Sequence, residues 1–161
     1  FEILATADIN IDILALSGPS RSVTSIGYGQ SDMDDYLMAA AKQQSRTVVP
    51  DDKPEKGFFF RSDHINFARV GIPALYASSG MDLVDGGEAA GRKAADDYTS
   101  NRYHKPSDNY DPNWDFRGAV QDMDLLLAIG RRLANESTFP QWKAGADFAR
   151  PAPAQSRTSA P

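Results

Sequence analysis

From residue 7 the chain reads A-D-I-N-I-D-I-L-A-L, with Ile9, Ile11 and Ile13 alternating with Asp8, Asn10 and Asp12. Period-two alternation predicts a strand over residues 7–16 that buries its isoleucines and turns a polar stripe the other way. A shorter strand is predicted over 23–28, ended by Gly27 and Gly29. Met33, Tyr36, Leu37, Ala40 and Ala41 then fall at helical spacing. Ser31 stands where a cap belongs, and Asp32, Asp34 and Asp35 occupy the first turn, where the helix dipole favours anions. That helix should reach about residue 45. The β-branched run 47–49 stops at Pro50, Ser62 is a second cap candidate before a short helix closed by Gly71, and 72–77 reads as a strand.

Residues 78–112 are rich in Gly, Asp, Ser and Lys, so at most a short helix is expected there, near 88–98. The clearest helix is 116–135, whose predicted buried stripe is Val120, Met123, Leu127 and Ala134, joined by Leu126 and Leu133. Strands and helices alternating with short links indicate an α/β fold, with helices packed on a partial mixed or mostly parallel sheet. One domain is expected over 1–143. Residues 144–161, without periodicity and Pro-rich, read as a disordered tail. Phe1 stands in place of Met and leads within a few residues into a strand pattern, which gives the expectation of a piece of a longer protein.

Composition narrows the function. The 161 residues carry 17 Lys+Arg against 22 Asp+Glu, a net charge of −5. This argues against partners that need clustered cations, nucleic acid and anionic membrane alike. No apolar run approaches the ~20 residues of a membrane-spanning helix. The absence of cysteine removes disulfides, thiol catalysis and Cys-containing metal sites, and with only His64 and His104 a three-histidine site cannot be built from this chain. Of the 22 acids, 18 are Asp, a residue of caps, turns and ion sites.

Three segments hold residues suited to chemistry. Asn10 and Asp12 share one face of a strand, where they meet an ion, a polar network or simply water. Asp63 and His64 open a helix, and adjacent helical residues point about 100° apart, which disfavours a shared metal. Asp63 there is equally a charge that satisfies the helix dipole. Tyr103 and His104 lie on the irregular stretch. The histidine is either an imidazole zinc ligand or a surface residue, Asp108 stands four residues on where it can fix the tautomer, and Tyr103 can donate its phenol to an oxyanion. Phe58, Phe59 and Phe60 read as core or as a hydrophobic wall, with no catalytic role.

Together, N-I-D in a strand, R-S-D-H-I-N-F-A-R-V-G-I-P-A-L-Y, and R-Y-H-K-P-S-D before a terminal helix resemble the carboxy-terminal half of the co-catalytic dizinc aminopeptidase family. Glutamate carboxypeptidase, the non-catalytic transferrin receptor and the glutaminyl cyclases are its relatives. The resemblance implies an incomplete zinc-exopeptidase-like, three-layer αβα fold and peptide-bond hydrolysis through a metal-bound hydroxide. It makes Asp12 a ligand of one zinc and His104 a ligand of the other, with Tyr103 the oxyanion donor. Asn10, Asp63, His64 and Asp108 fall in supporting or pocket positions.

The family's His-x-Asp and its adjacent glutamates do not occur here, since Glu2, Glu55, Glu88 and Glu136 each stand alone. The resemblance therefore implies a half-site: two zinc ions in the parent protein, none tightly held by this segment, and no activity of the segment alone. The implied partners are a peptide substrate and the missing amino-terminal half, with self-association through an exposed sheet edge. Export from the cell is implied by analogy. A glutaminyl-cyclase-like acyl transferase and a metal-free receptor-like module are the alternatives.

Overall fold

The computed structural model describes residues 7–149. Four strands, β1 (Asp8–Asn10), β2 (Ser22–Ile26), β3 (Thr47–Pro50) and β4 (Ala74–Ser79), form one mixed sheet in the order β1-β4-β2-β3. β1 runs parallel to β4 and β2 parallel to β3, while β2 and β4 are antiparallel. Four helices, α1 (Met33–Gln43), α2 (His64–Arg69), α3 (Gly87–Asn101) and α4 (Arg117–Asn135), complete the α/β architecture.

Alternation along the strands sorts the side chains onto two faces. On one, Val23 and Leu75 are buried with Met33, Leu37 and Ala41 of α1 and with Leu125, Leu126 and Ile129 of α4, and Ile9 packs against this core. On the other, Tyr76 meets α2 through His64. α1 forms as its spacing predicts, with Met33, Tyr36, Leu37, Ala40 and Ala41 buried and the Ser31 hydroxyl accepting the Met33 N–H at 3.3 Å. Asp34 does more than favour the dipole, for it is buried and accepts from the Ser25 hydroxyl at 2.8 Å and the Gly29 N–H at 2.7 Å, which fixes α1 on β2. A second tie is the buried Arg46 guanidinium, 2.7 Å from the Asp122 carboxylate of α4.

Four expectations need correction. The first strand ends at Asn10, and Ile11 and Ile13 are exposed rather than buried. Among the described residues β1 is an edge strand paired with β4 on one side, and none of them buries the isoleucine face beyond Asn10. The α4 stripe of Val120, Met123 and Leu127 is exposed, and the buried face holds Gly118, Ala119, Leu125, Leu126 and Ile129. There a glycine lets the helix touch the Gly18 backbone. Residues 87–101 form a full 15-residue helix, longer than the short one expected near 88–98. Finally, the assigned tail begins too early, because Asp147 donates its N–H to Gln30 and Phe148 stacks on Phe59 at 5.6 Å. The remaining tail, 150–161, lies outside the described residues.

Candidate active site

Asp12 lies two residues past the end of β1 and is exposed. The register pairs Asn10 with Tyr76 of β4, which sets the tyrosine beside the end of β1. Its hydroxyl donates to the Asp12 Oδ2 at 3.0 Å. Burial, foremost, and then the Asp12 charge and that hydrogen bond push the phenol well above the ordinary tyrosine range, with smaller contributions from Tyr103 and Asp51. Tyr76 therefore stays a proton donor and orients the carboxylate, the kind of outer support that metal-binding carboxylates use. Asn10 donates from Nδ2 to the Ser62 Oγ at 2.7 Å and ties β1 to the entry of α2. Ser62 is thus a partner of Asn10 and makes no side-chain cap, because Asp63 takes the N-cap position of that helix.

Asp63 is exposed, whereas His64 is fully buried. The imidazole sits edge-on to Phe59 at 4.6 Å between centroids and 5.0 Å from the Tyr76 ring. Neither ring nitrogen has a hydrogen-bond partner within the described residues. Burial lowers its pKa, against opposite pulls from Asp12, Asp63 and the Phe59 backbone, which stands near the ring without reaching hydrogen-bond geometry at either nitrogen. His64 is consequently a neutral wall behind Tyr76. Burial, and secondarily Asp63, raises the pKa of Asp8 on the same strand face, and its buried Oδ2 has no hydrogen-bond partner among the described residues.

A pH consequence follows. With a folded pKa below its ordinary 6.5, His64 takes up its proton in the unfolded chain first. Stability should be complete above pH 6.5 and fall as the pH drops below it, down to the folded pKa. Urea midpoints of the 161-residue chain measured between pH 5 and 8 should show this slope, and His64→Phe should flatten it. A slope that persists unchanged in the variant would assign it to other groups.

Tyr103 and His104 follow directly on α3. The Tyr103 N–H closes the helix on the Tyr98 carbonyl at 2.9 Å, and His104 turns into the left-handed region at φ 56°. Few residues other than glycine take that conformation, and it is common where function fixes a side chain. The two rings stack 3.9 Å apart, 18° from parallel, and both are exposed. The loop is folded on itself by the Arg102–Asp111 ion pair at 2.5 Å and by Arg102 over the Trp114 ring. Asp108 accepts from the Tyr98 hydroxyl at 2.9 Å rather than from His104, so it holds the loop to α3 and does not set the imidazole's tautomer.

In kind, the donors suit zinc, since a carboxylate oxygen and an imidazole nitrogen are both ordinary ligands of it. In number they do not close a site, because no group of three His, Cys, Asp or Glu side chains among the described residues could hold a metal ion. Asp12 and His104 can each supply one ligand and no more.

A family model, peptidase family M28, matches residues 4–128. The chain belongs to that family. No curated protein and no solved structure matches it. Membership in M28, the co-catalytic zinc aminopeptidase and exopeptidase family, sets the general chemistry as that of a metallopeptidase. It also accounts for the mixed open sheet as an incomplete M28-like fold. Among the described residues no helix is long and apolar enough to cross a membrane.

The sequence did not single out Tyr76, and it marked Ser62 as a helix cap rather than as the partner of Asn10. The only signal for Tyr76 was a phenol in a strand of small and apolar residues, and for Ser62 its hydroxyl suited a cap equally well.

Proposed function

We propose that this chain is the carboxy-terminal part of an exported zinc aminopeptidase, and that it contributes Asp12 to one zinc, His104 to the other and Tyr103 as the donor to the reacting carbonyl. One observation supports the reading above all: the M28 chain holds the Asp12 carboxylate on the Tyr76 hydroxyl at the end of β1 and stacks the Tyr103 ring on His104. Zinc, when bound, polarises the carbonyl and makes water nucleophilic at neutral pH. The chain's own share of the chemistry is to supply one ligand to each ion and to donate a hydrogen bond from the Tyr103 phenol O–H to the oxyanion as negative charge develops. Export rests on analogy with the family.

With one donor for each ion, the other ligands and the general base come from outside these 161 residues. The partner for this is the amino-terminal half of the same enzyme. It would cover the β1 edge, the exposed Ile11, Ile13 and Leu14, and the exposed α4 stripe of Val120, Met123 and Leu127 with the N-cap residue Phe116. An uncovered edge and apolar surface of this kind would lead the isolated chain to self-associate.

The test is made on the longer polypeptide, loaded with zinc and assayed on amino-acid anilides. Turnover is expected, abolished by chelation, with Asp12→Ala and His104→Ala each losing zinc and activity together. Cyclisation of amino-terminal glutamine without hydrolysis, or a folded protein that takes up no zinc, would overturn the aminopeptidase reading.

A further inference from the structure

The stretch between α3 and α4 that carries Tyr103 and His104 has no core of its own. No residue from Tyr103 to Trp114 is buried, so no apolar burial offsets the entropy lost when this stretch takes one shape. His104 adds the cost of its left-handed backbone at φ 56°. Both ends are fixed: α3 ends at Asn101, and Asp115 donates its N–H to the Leu16 carbonyl at 3.0 Å and accepts the Gly18 N–H at 3.1 Å. Between these anchors, order has to come from polar cross-links.

One side chain spans the gap. Arg102, directly before Tyr103, sends its guanidinium forward across the loop. Nη1 donates to the Ser107 carbonyl at 3.4 Å and the Asn109 carbonyl at 3.3 Å, Nη2 donates to the Asp111 Oδ2 at 2.5 Å, and Cζ lies 5.4 Å from the Trp114 ring centre. Asp111 is held in turn, because its Oδ1 accepts the backbone N–H and the side-chain amide of Asn113, each at 3.0 Å. Other ties stay on the near side: the Ser107 hydroxyl donates to the Asn101 carbonyl at 2.5 Å, and the Tyr98 hydroxyl to Asp108 at 2.9 Å. Arg102 reaches the far side, and with Asp111 it makes the one ion pair inside the loop among the described residues. A planar fork can meet two carbonyls, a carboxylate and a ring at once, whereas an ammonium, a point charge, could keep the carboxylate alone.

We infer that Arg102 is a positioning residue for His104: its guanidinium sets the loop that presents the imidazole before any metal is bound. The use of that order rests on the reading of His104 as a zinc ligand, whereas the ordering of the loop by Arg102 does not. A donor already in place loses little freedom when its ion arrives. Supports of this kind commonly contribute about 10- to 100-fold in metal affinity or activity.

Two experiments separate these layers. In the first, NMR order parameters of the 161-residue chain are measured over residues 103–109. They should be near about 0.85 in the parent and fall below about 0.6 in Arg102→Gln, with Tm little changed because no core is touched. Arg102→Lys should loosen the loop as well, since charge without the fork does not span it. A parent loop that is already flexible, or variants that keep its order, would overturn the assignment. In the second, zinc binding and anilide turnover of the longer polypeptide are followed as free zinc is raised. Arg102→Gln should hold one of the two ions about 10- to 100-fold more weakly, and excess zinc should restore most of its kcat. His104→Ala should not be restored in this way, because the donor itself is gone. Arg92→Gln removes the same charge from α3 by breaking the exposed Arg92–Asp52 pair at 2.9 Å, and it should match the parent in both experiments. A loosened loop with zinc affinity unchanged would overturn the positioning role and leave the peptidase reading standing. A folded longer polypeptide that takes up no zinc would overturn that reading, and with it the role of Arg102 toward a ligand, even where the loop loosens as expected.

Discussion

Tyr103→Phe in the zinc-loaded longer polypeptide should lower kcat by about 10²-fold or more while zinc content and KM stay near those of the parent. One hydroxyl is removed and the ring is kept, so the stack on His104 at 3.9 Å survives and the imidazole remains where it was. The phenol O–H matters most when the carbonyl oxygen carries full negative charge, that is, in the transition state and not in the bound substrate. A single oxyanion donor is worth about 10²–10³ in rate. The loss should therefore appear in kcat and in kcat/KM alike, the sign of an interaction made only at the transition state. Zinc loss in Tyr103→Phe comparable to that in His104→Ala would show that the tyrosine acts as part of the metal shell, and the role given to it here would be wrong.

The second large effect is expected from a single methyl group far from the chemistry. Gly91 is the one buried residue of α3, and a Cβ built on it would collide with the Met81 carbonyl oxygen. Helix propensity alone favours Gly91→Ala by about 1 kcal/mol. Overpacking against backbone costs about 1–3 kcal/mol and occasionally more, because a carbonyl in a loop anchored at both ends cannot rotate aside as a side-chain tip can. Sterics should win, for a net loss of about 1 kcal/mol, or roughly 2–4 °C in Tm for a chain of this size. The displaced helix also carries the loop of Tyr103 and His104, which begins just after its last residue, Asn101, so activity of the longer polypeptide should fall with stability. Gly130→Ala in α4 is the control. Its new methyl would lie 3.8 Å from Ile9, an ordinary contact, so propensity should prevail and the protein should gain up to about 1 kcal/mol. Thermal melts of the two variants should move in opposite directions, and a stabilised Gly91→Ala would mean that α3 is free to shift.

What the sequence could and could not reveal follows from where each element sits. α1 was legible because its apolar spacing, its acidic first turn and a capping serine all agree, and it packs on the core as that pattern requires. α4 was legible as a helix but not in its orientation. Two apolar stripes run along it, and the buried one includes Gly118 and Ala119, which hydrophobicity undervalues and close packing favours. α3 was legible only as a short helix near 88–98 because it is mostly exposed and polar, with glycines at 86, 87 and 91, so no periodic stripe marks its full length. The isoleucines after Asn10 promised a longer strand, yet a strand lasts only as far as its neighbours, and β1 has one.

The chemistry was legible in a similar, partial way. Tyr103 and His104 do form one unit, and the left-handed backbone at His104 adds a mark of strain that no residue pattern contains. A spacing of four residues suggested contact between Asp108 and His104, whereas here Asp108 accepts from the Tyr98 hydroxyl. Tyr76 could be found only from strand register.

The central claim, that Asp12 and His104 serve different metal ions and that neither ion is completed by these 161 residues, is tested most directly by calorimetric titration of the isolated, folded chain with zinc. A zinc ion commonly takes three or four protein ligands. A chain that offers one to each ion should bind zinc more weakly than micromolar, and His104→Ala should change the isotherm little. Submicromolar binding that disappears in His104→Ala would mean that this chain completes a zinc site by itself, in direct contradiction of the half-site.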